Sequence, residues 1–151
     1  MPEKKFIKLI SGKRYLLDTN VLIYSVDKAS PFYAKAKKVI EIGIKQDVSF
    51  VITHQNLLEY TAVLRRVYKI KLEEILKDIK IFTSYFEVIS PLPTTFEIFL
   101  KLLETNPKSY PFDLYLAATA LDNQVFRIII ANVKDFVNLG FKEVINLKEY
   151  N

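Results

Sequence analysis

Short apolar runs alternate along the chain with longer stretches whose apolar residues recur every three or four positions. The runs at 14–17, 49–52, 87–89, 126–131 and 143–145 are too short for helices and rich in residues that suit buried strands. Between them the helical spacing predicts a short helix over 20–26. A second starts at Ser30-Pro31, where Ser can cap and Pro fits the first turn, and runs through AKAKKVIEIGI. Thr53 opens a third through NLLEYTAVLRRVY. A fourth covers 72–86, with Ile75, Leu76, Ile79 and Phe82 on its apolar side. Thr94 or Thr95 caps FEIFLKLLE, and the last helix covers 111–123. Strands alternating with helices predict an α/β fold: a three-layer α/β/α sandwich around a mostly parallel sheet of about five strands. No linker or repeat interrupts the pattern, so residues 1–151 read as one domain, with 1–13 as an N-terminal extension.

Half of the 151 residues are hydrophobic, which is enough for a sizeable core without covalent staples. The formal net charge of +5 favours polyanionic partners, nucleic acid first. The absence of cysteine excludes a disulfide framework and Cys-zinc sites. A single histidine, His54, excludes a His-rich metal site within one chain. It also excludes a metal-free mechanism using paired histidines, and a lone histidine after a strand reads as structural. No apolar run is long enough for a membrane span, and the N-terminus lacks the apolar core of a signal peptide. The expected location is the cytoplasm.

Four acids stand where such a fold places function, beyond the carboxyl ends of parallel strands. Asp18 breaks the apolar stretch YLLDTNVLIY just past the first strand. Glu59 lies in the helix after the second. Asp113 begins the Ala-rich helix, and Asp135 follows the fourth strand in ANVKDF. Each has an ordinary explanation alone: a helix cap for Asp18 (shared with Thr19 or Asn20), solvent exposure for Glu59, a charged first turn for Asp113, a surface turn for Asp135. All four can nevertheless reach one rim of the sheet. Converging like charges are costly unless a cation sits among them. An all-oxygen donor set suits Mg²⁺ or Mn²⁺ better than zinc.

The motifs LLDTNVLIY, LLEYTAVLRR, FDLYLAATAL and ANVKDF, in that order and spacing, resemble those of the PIN-domain ribonucleases, most closely the VapC-like toxins of prokaryotic toxin–antitoxin pairs. The resemblance covers the chain from about Arg14 to the last strand. It implies a Rossmann-like fold with an acidic pocket for Mg²⁺ or Mn²⁺. By motif, Asp18, Glu59, Asp113 and Asp135 match the four acids. Asn20 matches a polar position expected to orient Asp18, and Asn132 the polar residue before the fourth acid. Ile130 departs from the pattern, since family members often carry Thr or Ser there.

The function this implies is hydrolysis of RNA phosphodiester bonds by a metal-activated water, with Asp18 and Asp113 nearest the metal. Glu59 and Asp135 would complete the pocket. Arg65 and Arg66 are the candidates for drawing RNA toward the acids, while Lys35, Lys37 and Lys38 read as a solvated helix face. The implied partners are RNA, a cognate antitoxin that inserts a segment toward the acids, and a second copy of the chain. The aromatics Phe82, Tyr85, Phe86, Phe96 and Phe99 could form that dimer interface or simply fill the core. Competing functions are an RNA-processing or DNA-cleaving nuclease, and a weakened RNA- or protein-binding module to which Ile130 lends support. A phosphohydrolase with an Asp nucleophile ranks last, because its second Asp is replaced by Asn20.

Overall fold

The structure, a computed structural model, describes residues 9–45 and 48–149. Most of the expected N-terminal extension, residues 1–8, lies outside the described residues. Five strands form one parallel sheet: β1 (Arg14–Leu17), β2 (Ser49–Thr53), β3 (Glu87–Ile89), β4 (Arg127–Ile130) and β5 (Glu143–Asn146). Their order is β3-β2-β1-β4-β5. The helices are α1 (Thr19–Tyr24), α2 (Tyr33–Ile44), α3 (His54–Arg66), α4 (Leu72–Tyr85), α5 (Thr95–Thr105) and α6 (Pro111–Asp122).

Successive side chains of a strand point to opposite faces, and both faces here are buried. Tyr15, Leu17, Phe50, Ile52 and Ile129 pack on one side with apolar residues of α1 to α4. Leu16, Val51, Ile128 and Ile130 pack on the other against Leu114, Ala117 and Ala120 of α6, with Phe99 and Leu103 of α5 at the margin. Continuous apolar strands are what a parallel sheet covered on both faces requires. The three-layer α/β sandwich expected from the alternating pattern is therefore present.

The chain order fixes where a site can form. From β1 the chain moves to β2 and β3 on one side, and β4 and β5 lie on the other. The crevice beyond the carboxyl ends of β1 and β4 is the switch point, the usual ligand position in open α/β sheets.

Some helix starts differ from expectation. The second helix begins at Tyr33, and its N-cap Phe32 forms no capping bond. Ser30 Oγ instead accepts from the Phe32 N–H at 3.1 Å, making a local turn that competes with capping. Thr94 occupies the N-cap of α5 without capping it. The hydroxyls of Thr94 and Thr95 both donate to Asp122, at 2.7 and 2.8 Å. Helix α1 starts one residue earlier than predicted, at Thr19, and ends at Tyr24.

The aromatic residues divide between core and surface. Phe82 and Phe86 are buried and belong to the core beneath α4, so they cannot supply the dimer interface considered for them. Tyr85 and Phe96 are exposed. Phe99 packs partly buried against the second core.

Candidate active site

Asp18 is carried to the switch point by the sheet. Its N–H donates to the Ile129 carbonyl at 3.0 Å, continuing the β1–β4 pairing one residue past the strand. It then takes the N-cap position of α1 with extended backbone, but its carboxylate makes no capping hydrogen bond. Its side chain is 9% exposed. Glu59 lies half-buried on α3, whose start is secured by a capping bond from the Asn56 N–H to the Thr53 hydroxyl. Asp113 stands in the first turn of α6, which Pro111 begins. Asp135 ends the single 3₁₀ turn Val133–Asp135 after β4, where Asn132 Nδ2 donates to its Oδ2 at 2.9 Å. All four acids line one cavity of about 620 Å³, together with Thr19, Asn20, Arg66 and Asn132. Four acids far apart in sequence thus meet at one end of the sheet.

Their electrostatics are unfavourable by construction. Burial, and then the charge of Asp113, pushes Asp18 up to about 7, against the opposing pull of the Thr19 N–H. Burial, then Asp135 and Glu59, pushes Asp113 up to about 6, with no hydrogen-bond donor opposing the rise. A carboxyl whose pKa is raised by folding holds its proton more tightly in the folded chain than in the unfolded one. The associated stability is fully present below about pH 4 and is lost as pH rises through 6 and 7. Metal-free protein is therefore expected to lose stability steadily between pH 4 and 7.5. Urea unfolding in EDTA across that range measures this, and a flat profile would contradict it.

The donor set fits a hard cation. It is made of carboxylate oxygens, and buried Asp18 and half-buried Asp113 resist carrying charge together. Both oxygens of Glu59 are already occupied: Thr19 Oγ1 donates to Oε2 and Gln55 Nε2 to Oε1, each at 2.9 Å. Asp18 and Asp113 accept no side-chain hydrogen bond among the described residues, so they are the pair best able to hold Mg²⁺ or Mn²⁺ directly. Among the described residues, no three acidic or histidine side chains stand at the spacing of a metal cluster. Mg²⁺ does not require that, since it keeps several waters and is bound through one or two carboxylates.

Other expected residues fall into place unevenly. Asn20 lines the cavity, but its side chain makes no bond to Asp18; only its backbone N–H, after that of Thr19, favours the Asp18 charge. Arg66 lines the cavity, whereas the exposed Arg65 is not part of its wall. Lys35 donates to the Lys148 carbonyl and Lys37 lies over the Tyr33 ring, so that face is turned elsewhere. His54 is exposed and lines a separate apolar hollow with Leu58, Pro91 and Phe112. Ile130 is fully buried in the core beside α6 and does not line the acidic cavity.

Thr19 and Gln55 are site residues the sequence pattern does not mark. Thr19 reads as a cap, yet its hydroxyl serves Glu59. Gln55 had a usable signal: it precedes Glu59 by four residues, the spacing at which helical side chains meet.

An all-parallel α/β sandwich with acids gathered at its switch point defines a class, and the family comparison makes it specific. The PIN domain family model matches residues 15–140. The chain belongs to the PIN-domain family. No curated protein matches it. Among solved structures it is similar to VapBC2 from Rickettsia felis bound to a promoter DNA fragment, at 22% identity and TM-score 0.64 over 88% of this chain and 98% of that one. VapBC-1 from nontypeable Haemophilus influenzae matches at 21% identity and TM-score 0.65, covering 89% and 98%. VapC20 from Mycobacterium tuberculosis, described as a Sarcin-Ricin loop cleaving toxin, matches at 13% identity and TM-score 0.61, covering 76% and 86%. At these identities the likeness concerns the fold.

Proposed function

We propose that the protein is a Mg²⁺- or Mn²⁺-dependent endoribonuclease and the toxin of a toxin–antitoxin pair. The observation that carries this is the convergence of Asp18, Glu59, Asp113 and Asp135 on one cavity at the sheet's switch point. Support for the biological setting comes from the structural relatives, which include a toxin–antitoxin complex and a Sarcin-Ricin loop cleaving toxin. The same reading carries a cognate antitoxin and a second copy of the chain as partners, and a cytoplasmic location. Among the described residues no helix is long and apolar enough to cross a membrane.

Asp18 and Asp113 would hold the ion, and Glu59 and Asp135 would orient what surrounds it. When bound, the ion supplies positive charge to the phosphate and lowers the pKa of water. Arg66 on the cavity wall meets the incoming phosphate backbone that the acids alone would repel. Tyr110 and Phe112, exposed on the same wall, offer faces on which bases can stack. In-line attack of water on phosphorus breaks the P–O3′ bond and leaves 5′-phosphate and 3′-hydroxyl ends.

The test is cleavage of end-labelled single-stranded RNA, with single-stranded DNA alongside, in Mg²⁺, Mn²⁺ or EDTA. Wild type should cut RNA only with metal. Asp113→Asn should lose more than about 100-fold, beyond the typical cost of removing a supporting residue. Arg66→Ala should raise KM several-fold with kcat nearly unchanged, as expected for a contact made equally before and during reaction. Equal activity in wild type and Asp113→Asn would overturn the assignment, and cleavage confined to DNA would move the substrate class.

A further inference from the structure

The hydrogen bonds at Glu59 continue away from the cavity, into the junction between β2 and α3. Asn56 is fully buried there. Its Oδ1 accepts from the Thr53 N–H at 2.8 Å and from the Thr53 hydroxyl at 2.9 Å. Its own N–H donates to Thr53 Oγ1 at 3.1 Å, so the pair closes the helix start as a capping box. Because a backbone N–H can only donate, the orientation of the Asn56 amide is fixed. Its Nδ2 then faces α1 and donates to Thr19 Oγ1 at 3.0 Å.

That donation fixes the next link. An amide N–H cannot accept, so the Thr19 hydroxyl turns its single proton to Glu59 Oε2, 2.9 Å away. On the far side Gln55 Nε2 donates to Glu59 Oε1 at 2.9 Å and to the Phe112 carbonyl at 2.8 Å. Both acceptors lack protons, so Gln55 is oriented too. Capping accounts for Asn56 Oδ1 alone. An Asp at 56 could accept the same two bonds, yet it would have nothing to donate to Thr19.

The two ends of this chain are the informative part. Thr19 directly follows Asp18, and Phe112 directly precedes Asp113. Glu59 therefore ties the Thr19 side chain, next to one candidate metal-binding acid, through Gln55 to the Phe112 carbonyl, next to the other. We propose that Asn56, Thr19, Glu59 and Gln55 form a strut that sets the separation of Asp18 and Asp113, with Asn56 and Thr19 acting as positioning residues. This rests on the metal-site reading above.

Mn²⁺ alone is the probe, titrated into the full chain by calorimetry or by the electron paramagnetic resonance signal of free Mn²⁺. Thr19→Val keeps the side-chain shape and deletes the hydroxyl. It should weaken Mn²⁺ binding by roughly 10–100-fold, the usual cost of losing a supporting partner. Thr19→Ser should restore affinity to within about threefold of wild type. Asn56→Asp, which keeps the cap but not the donor, should resemble Thr19→Val. Wild-type affinity in Thr19→Val, or equal loss in Val and Ser variants, would overturn the strut.

A second measurement does not depend on metal or on the Val variant folding. In metal-free wild type the Thr19 hydroxyl proton should give a slowly exchanging NMR signal, lost in Asn56→Asp. If wild type binds no Mn²⁺ but shows this signal and its loss, the metal reading fails and the hydrogen-bonded strut stands. If Mn²⁺ binds and the signal is absent from wild type, the strut fails and the metal reading stands.

Discussion

Asp18→Asn is expected to produce a more stable metal-free protein and, on the proposed function, one that no longer cleaves RNA. Asp18 is almost wholly buried, and desolvation is the largest cause of its raised pKa, followed by repulsion from Asp113. Above pH 7 the folded wild type must carry that charge at a cost the unfolded chain does not bear. Asn has nearly the same shape and no charge. At pH 8 in EDTA the variant should gain roughly 2–4 kcal/mol, allowing about 1.4 kcal/mol per pKa unit and some relaxation of the site. The gain should shrink toward zero below about pH 3, where the carboxyl is largely protonated in both states of wild type. Cleavage should fall more than about 100-fold. Saturating Mn²⁺ should reverse the stability order, because a ligand bound only by the folded state stabilises it by mass action. Denaturant titrations with and without Mn²⁺ measure both halves. A variant less stable than wild type at pH 8 in EDTA would show that the Asp18 charge is compensated.

Phe82→Ala should cost about 3–5 kcal/mol, the range for emptying a buried aromatic site. Phe82 is 3% exposed. Its ring meets Tyr60 edge-on at 5.3 Å and stacks on Phe86 at 6.1 Å. Phe86 in turn touches Phe50 of β2 at 5.8 Å, so the loss would pass from α4 to the sheet. Phe96 also meets a ring, that of Phe99 at 5.4 Å, but it is 57% exposed, so Phe96→Ala should change monomer stability by less than about 1 kcal/mol. Urea midpoints at two protein concentrations separate core from interface. A Phe82→Ala defect that disappears on dilution would return Phe82 to an interface.

The sequence makes the sheet legible because β1, β2 and β4 are nearly unbroken apolar segments, and each lies between helical patterns. The acids are legible for a related reason: Asp18 and Asp135 interrupt or follow those runs just where strand ends must lie. What stays hidden depends on partners distant in sequence. Thr19 bonds to a residue 40 positions away, and nothing local separates that role from capping. Ser30 and Thr94 show the same ambiguity in reverse. Each carries the residue type of a helix cap, but a local turn claims one hydroxyl and Asp122 the other. Arg65 and Arg66 are identical in type and adjacent, so only the helix's rotation on the sheet tells which one faces the acids.

The strand order also bears on when the cavity can exist during synthesis. Strand β1 lies in the middle of the sheet, and its neighbour β4 follows it in the chain only after β2 and β3. A nascent chain that has not yet released β4 leaves one edge of β1 unpaired and lacks the turn carrying Asp135. On the proposed reading, the site cannot assemble until β4 and the turn after it have left the ribosome, well after β1 to β3, which leaves time for an inhibitor already present to meet the nuclease as its site forms.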